Sequence, residues 1–127
     1  MSADRTPGDP VAAYFRCLNT EDWEVMATLW TEDALLRPVG ARPRRGPAAI
    51  AAFYSHLFDP WEEHLDTPTR TIRAGDVVTV EVTFTGRSRS GTDARFDAVD
   101  LFDLRDGRIA GLSTWYDLVA ARRAVSS

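Results

Sequence analysis

The chain has 127 residues and a net charge of −4, which is long enough for one domain with a buried core and too short for two. No dense basic stripe accompanies this negative charge, so we expect no nucleic-acid partner. No apolar stretch approaches the roughly 20 residues of a membrane helix, so we expect no membrane span.

All 15 basic residues are arginine, which excludes Schiff-base catalysis by a lysine. The single cysteine, Cys17, excludes an internal disulfide, and the opening residues lack the apolar run of a signal peptide. We therefore expect a cytoplasmic protein. Glu62-Glu63-His64 has metal-ligand residue types without ligand spacing, so we expect no metal, and the sequence shows no cofactor motif.

The first half of the chain predicts three helices. Residues 1–8 are polar and are expected to form a flexible segment. Asp9 as N-cap and Pro10 at the first helical position begin a helix whose apolar residues recur at helical spacing. A shorter helix is predicted from a cap near Thr20, and a third begins at Pro47 after an arginine-rich loop.

The second half predicts strands, because apolar and polar residues alternate with a period of two. Together with a short strand in the first half, strands are predicted at residues 34–36, 67–73, 78–85, 95–104 and 108–116. Asp106-Gly107 is a strong hairpin turn between the last two.

This order predicts an α+β fold with three helices on one face of a curved antiparallel sheet. No internal repeat or composition change divides the chain. We expect a single domain over residues 9–120, a few residues of helix at its end, and a tail over residues 121–127.

Several short motifs carry a family resemblance: Leu18-Asn19 with Asp22, Asp33-Ala34, Pro38-Val39-Gly40, Phe53-Tyr54 and Val99-Asp100-x-Phe102. With them the chain resembles the ketosteroid isomerase-like and SnoaL-like proteins of the nuclear transport factor 2-like superfamily. The pattern is most similar to that of the bacterial steroid Δ5-3-ketoisomerases, from about Asp9 to Tyr116. The resemblance implies a cone-shaped sheet around an apolar pocket and a homodimer formed through the outer face of the sheet.

The resemblance also implies roles for individual residues. Tyr14 and Asp100 match the tyrosine and the acid that donate hydrogen bonds to the substrate oxyanion in the steroid isomerases. Tyr54 matches a tyrosine that supports the first one. Four aromatic residues are expected to contact an apolar substrate: Trp30, Phe84, Phe102 and Tyr116.

The residues themselves support part of this assignment. Asp100 shares a strand face with Ala98 and Phe102, and burial among apolar neighbours raises the pKa of a carboxyl group. A neutral carboxyl donates a hydrogen bond to a developing oxyanion.

One position departs from the family. Arg37-Pro38 stands where the steroid isomerases carry their catalytic base, and an arginine does not accept a proton at neutral pH. If Arg37 points into the pocket, it is expected to support an ionised Asp100.

These features favour a cofactor-free acid–base enzyme that isomerises, cyclises or dehydrates an apolar enolisable molecule, such as a steroid-like or polyketide intermediate. One alternative is a binding protein that has kept the pocket and lost the chemistry. The other is an epoxide hydrolase or cyclase that uses Arg37 and Asp100, which requires a second carboxylate in the pocket.

Overall fold

The first helix, α1 (Pro10–Thr20), begins as predicted. A computed structural model describes residues 8–126, so residues 1–7 of the expected flexible segment lie outside it. The Asp9 side chain accepts a hydrogen bond from the backbone N–H of Val11 at 3.0 Å, and Pro10 occupies the first helical position. The helix ends at Thr20 and is capped by Glu21, which adopts the left-handed conformation with φ 57°.

The second helix begins later than expected. Asp22, rather than a residue near Thr20, caps α2 (Trp23–Met26) by accepting from the backbone N–H of Val25 at 3.1 Å. A 3₁₀ turn (Ala27–Leu29) follows, and α3 (Pro47–Phe58) begins at Pro47 as predicted.

The strands form one six-stranded curved sheet. They are β1 (Trp30–Pro38), β2 (Arg44–Arg45), β3 (Trp61–Ala74), β4 (Val77–Ser88), β5 (Asp93–Arg105) and β6 (Arg108–Tyr116). Their order across the sheet is β2-β1-β6-β5-β4-β3. Neighbouring strands are antiparallel except β1 and β6, which run parallel. The predicted α+β class with a curved sheet is confirmed, with this one parallel pair as a correction.

Four strands are longer than their sequence patterns predict, and the difference is largest for β1 and β3. β1 extends through Arg37 and Pro38, beyond its predicted end at residue 36, because these two residues pair with Ser113 and Thr114 of β6. β3 begins at Trp61 and includes Glu62-Glu63-His64, which precedes the strand predicted at residues 67–73.

The core lies between the helices and the inner face of the sheet. Val78, Val80, Val82 and Phe84 of β4 are buried, as their alternation predicts, and they pack with α1 and α3 in one apolar cluster. The fold therefore places one face of β3 to β6 against the helices.

The C-terminal residues are helical. Residues 121–126, predicted as a tail, continue α4 (Leu118–Ser126), because the buried side chain of Ala124 joins the core cluster. No helix among residues 8–126 has the length and apolar character that crossing a membrane requires.

Candidate functional site

An apolar cavity lies between the helices and the inner face of the sheet. It has an empty volume of about 620 Å³, counting the part of its mouth that is open to solvent. Its walls come from α1, α3, α4 and five strands, and they are formed by Tyr14, Leu18, Pro38, Phe53, Tyr54, Leu57, Phe58, Trp61, Asp66, Phe84, Phe96, Ala98, Asp100, Thr114, Tyr116 and Ala121. A mostly apolar lining with a few polar groups is typical of a small-molecule site.

Two tyrosines on different helices meet in this cavity. The hydroxyl of Tyr14 on α1 lies 2.7 Å from the hydroxyl of Tyr54 on α3, and both side chains are buried. Burial raises the pKa of both hydroxyls well above the ordinary value, so each keeps its proton. Either hydroxyl can donate in this pair. When a ligand accepts from Tyr14, Tyr54 becomes the donor to Tyr14.

Asp100 reaches the cavity from the middle of the sheet. It pairs with Val80 on β4 and with Thr114 on β6, and Thr114 pairs with Pro38 on β1, so these residues form one row across four strands. Asp100 is only 6% exposed. Burial, followed by the charge of Asp66, raises the pKa of Asp100 well above its usual range. The expected neutral carboxyl is therefore supported.

A second buried carboxyl, Asp66, lines the same cavity and was missed in the sequence. It lies on β3, is 9% exposed, and burial raises its pKa from 3.8 to about 7. The amide side chain of Asn19 fixes the backbone of Asp66 with two hydrogen bonds, donating to its C=O at 3.0 Å and accepting from its N–H at 2.8 Å. Asn19 belongs to one of the family motifs, but the sequence did not show what it would bind.

Aromatic rings form the wall on the strand side. Phe84 stacks on Phe96 with ring centroids 4.6 Å apart, and Phe96 stacks on Tyr116 at 5.5 Å. Trp61 packs edge-on against Phe84 at 4.9 Å. Phe84 and Tyr116 thus line the cavity as predicted, while Phe96 and Trp61 were not singled out.

The SnoaL-like domain family matches residues 11–112 of the sequence. The chain belongs to this family. None of the curated proteins compared with it matches.

Solved structures share the fold of this SnoaL-like protein. A hypothetical protein with a ketosteroid isomerase-like fold from Catenulispora acidiphila DSM 44928 is 20% identical, with a TM-score of 0.85 over 93% of this chain and 92% of that one. A putative polyketide cyclase from Xanthomonas campestris pv. campestris is 24% identical, with a TM-score of 0.83 over 97% and 98%. An LEH-like epoxide hydrolase from M. tuberculosis is 20% identical, with a TM-score of 0.75 over 91% and 86%.

Arg37 does not enter the pocket of this SnoaL-like domain. Pro38 lines the cavity, and successive side chains of a strand point to opposite faces, so Arg37 is exposed on the outer side. Its register partner on β6 is Ser113, next to but not in the row of Asp100. The condition under which Arg37 was expected to support an ionised Asp100, an orientation into the pocket, is therefore not met.

Two predicted substrate contacts form a layer behind the cavity. Trp30 and Phe102 are buried and do not line the cavity. Both pack edge-on against the ring of Tyr14, with centroids 6.2 Å and 5.1 Å away. They pack behind Tyr14 and do not line the cavity. The sequence pattern did not separate them from Phe84 and Tyr116, because a buried position in a strand does not show whether the side chain lines the cavity or packs behind its wall.

The polar side chains of the cavity wall are weak acids and hydroxyls, and no cationic side chain lies among the lining residues that the structure describes. Among the residues that the structure describes, the cavity walls contain two carboxyl groups and three tyrosine hydroxyls but no arginine or histidine. No group of three or more His, Cys, Asp or Glu side chains within residues 8–126 has the arrangement of a metal site. The carboxyl and hydroxyl groups that line the cavity are able to donate hydrogen bonds and to transfer protons.

Proposed function

We propose that this SnoaL-like protein is a cofactor-free acid–base enzyme that isomerises, cyclises or dehydrates an apolar enolisable small molecule. The observation that carries the proposal is the convergence of the Tyr14–Tyr54 hydroxyl pair and the buried carboxyl of Asp100 in one apolar cavity. A putative polyketide cyclase with the same fold supports this class of substrate.

The proposed site stabilises an enolate through two neutral donors. Tyr14 and protonated Asp100 donate hydrogen bonds to the carbonyl oxygen of the substrate, while Tyr54 donates to Tyr14. Because the walls are mostly apolar, such donors gain strength as negative charge develops on the oxygen. The loss of one donor typically slows catalysis by roughly 100-fold or more. Lowering the energy of the enolate makes removal of the neighbouring proton possible.

The first experiment is a fluorescence titration with a phenolic steroid such as equilenin, whose phenolate oxygen mimics the enolate. We expect the Tyr14→Phe and Asp100→Leu substitutions each to weaken binding by roughly 10-fold to 100-fold, the usual effect of removing a hydrogen bond to a charged group. Asp100→Asn retains a donor and is expected to weaken binding less than Asp100→Leu. Asp97→Asn is the matched control, since Asp97 is exposed on the other face of β5. Equilenin affinity that is unchanged in all three site variants contradicts the proposal.

A second candidate function is epoxide opening. Two carboxyls in one cavity, Asp66 and Asp100, satisfy the requirement for a second acid, and an epoxide hydrolase shares the fold. Arg37, the cation that the epoxide hydrolase alternative requires beside Asp100, is exposed outside the cavity. Hydrolysis of a cyclic terpene epoxide that stops in both Asp66→Asn and Asp100→Asn distinguishes it from enolate chemistry.

We further propose that two copies associate through the outer face of the sheet. Ile72 on β3 and Leu101 on β5 are both exposed and lie in one row through Thr79, and Trp115 on β6 is 56% exposed one strand away. An apolar patch spread over several strands favours a second copy of the same face.

A further inference from the structure

The proposed enolate chemistry requires a base, and the structure offers one residue for that task. Asp66 lines the cavity together with Tyr14 and Asp100, yet hydrogen bonding to an enolate uses only the latter two. Tyr14 and Tyr54 keep their protons, and Arg37-Pro38 supplies no proton acceptor. Among the described residues that line the cavity, Asp66 is therefore the carboxyl without a role.

The position of Asp66 is fixed from the helix that carries Tyr14. Asn19 lies five residues after Tyr14 on α1, and its two hydrogen bonds hold the backbone of Asp66 at 2.8 Å and 3.0 Å. β3 shifts register on either side of this point, between Trp61 and Glu63 and between Pro68 and Arg70. Such irregularities re-aim side chains near functional sites. The clamp acts on the backbone and leaves the carboxylate to the cavity.

We propose that Asp66 is the residue that removes and returns the substrate proton, in the place of the base that Arg37-Pro38 replaces. This inference rests on the proposed function. It deepens it by separating two roles, since Asp100 holds the oxygen of the substrate while Asp66 works at carbon.

The proton transfer balances without a co-reactant. The Asp66 carboxylate takes a proton from the carbon next to the substrate carbonyl, and the electron pair of the broken C–H bond moves into the enolate, whose oxygen carries the charge. Tyr14 and Asp100 donate to that oxygen. The protonated Asp66 then gives the proton to another carbon of the conjugated enolate, which completes an isomerisation, or to the same carbon, which exchanges it.

The electrostatics of the pocket fit this division. Burial raises the pKa of Asp66 to about 7, which leaves an ionised fraction at neutral pH, whereas the pKa of Asp100 is raised further by the charge of Asp66. Two acids with separated pKa values are typical of a base and a donor. The titratable groups around Asp66 are Tyr14 from α1, Tyr54 from α3, Asp100 from β5, Tyr116 from β6, and on its own strand His64, which pairs with Glu21 at 2.6 Å.

The test is hydrogen exchange at the acidic carbon of β-tetralone in D₂O, followed by proton NMR. Wild type is expected to exchange this proton with a rate that rises with pH around a midpoint of about 7. Asp66→Asn is expected to slow exchange by at least roughly 100-fold while equilenin binding persists, because only the base is lost. Asp66→Glu keeps a carboxyl and is expected to exchange faster than Asp66→Asn, and Asp97→Asn is expected to behave as wild type.

The outcomes separate the two proposals. Exchange in Asp66→Asn at the wild-type rate overturns the role of Asp66 and leaves the proposed function standing. Equal loss in Asp66→Asn and Asp66→Glu also overturns it, since the carboxyl then contributes nothing beyond structure. If wild type binds equilenin but does not exchange the ketone proton, the proposal that Asp66 is the base is contradicted. If wild type neither binds equilenin nor exchanges the proton, the proposed function itself is contradicted.

Discussion

Asp66→Asn is expected to make the protein more stable at neutral and alkaline pH. The wild-type carboxyl is buried in an apolar wall, and burial alone raises its pKa from 3.8 to about 7. Between the ordinary carboxyl pKa and pH about 7, unfolding therefore releases a proton, and the folded state loses stability as pH rises through this range. The amide of Asn does not titrate and has nearly the same shape as the carboxyl of Asp. The variant therefore does not show this pH-dependent loss of stability.

The size of the effect follows from the shift. About three pKa units at about 1.4 kcal/mol each give an upper value on the order of 4 kcal/mol for Asp66. Because the folded pKa of Asp66 is raised, the free energy of unfolding is highest below pH about 4, where the carboxyl is neutral in both states. It falls progressively up to pH about 7 and then stays level. Between pH about 5 and about 8, wild type is expected to lose roughly 2–3 kcal/mol more than the variant. The raised pKa of Asp100 acts in the same direction in both proteins.

Urea unfolding followed by tryptophan fluorescence measures this difference at both pH values. Asp97→Asn serves as the control, because Asp97 is exposed and accepts from the Thr83 hydroxyl at 3.1 Å on the outer face. A stability difference between wild type and Asp66→Asn that is the same at acid and alkaline pH would refute the reasoning. It would mean that Asp66 is solvated in the folded protein.

Three further substitutions test other parts of the structure. Arg37→Ala is expected to leave equilenin binding and ketone exchange unchanged, and a loss of either would mean that Arg37 reaches the cavity. Phe102→Ala is expected to lower the free energy of unfolding by roughly 3–5 kcal/mol in urea titrations, because Phe102 is fully buried against Tyr14 and Phe15; a loss below about 1 kcal/mol would contradict its packing role. Trp115→Glu is expected to give a monomer in sedimentation equilibrium while Val119→Glu, at another exposed apolar position on α4, does not, and identical masses for both variants would argue against the outer sheet face as the interface.

Much of the fold was predictable because its signals are local. Asp9-Pro10 and Pro47 define the starts of two helices, and the alternation from Val78 to Phe84 defines the buried face of β4. Strand ends were less predictable, since they depend on pairing between distant segments. β1 reaches Pro38 because β6 lies beside it, a contact that local residue preferences do not encode.

The residues of the candidate site were predictable where they match positions of the family's sequence pattern. Tyr14, Tyr54 and Asp100 lie in the cavity as the resemblance implies. Asp66 lies in a strand whose other residues are mostly exposed, so no apolar pattern singles it out. Its burial results from the curvature of the sheet and from the Asn19 clamp, both of which appear only in three dimensions.

Stability alone does not account for the two acids in this pocket. Each raised pKa means that the folded protein holds a carboxyl at an energetic disadvantage above the ordinary carboxyl pKa, and the charge of Asp66 deepens the disadvantage of Asp100. The Asn19 clamp binds the backbone of Asp66, so an uncharged side chain would satisfy it equally well. The carboxyls therefore weaken the folded state at neutral pH while adding the only proton acceptor and one of the two oxygen donors of the proposed reaction. Groups that lower stability and also supply the chemistry are what the proposed enzyme requires, since strained or unfavourable groups are retained where function needs them.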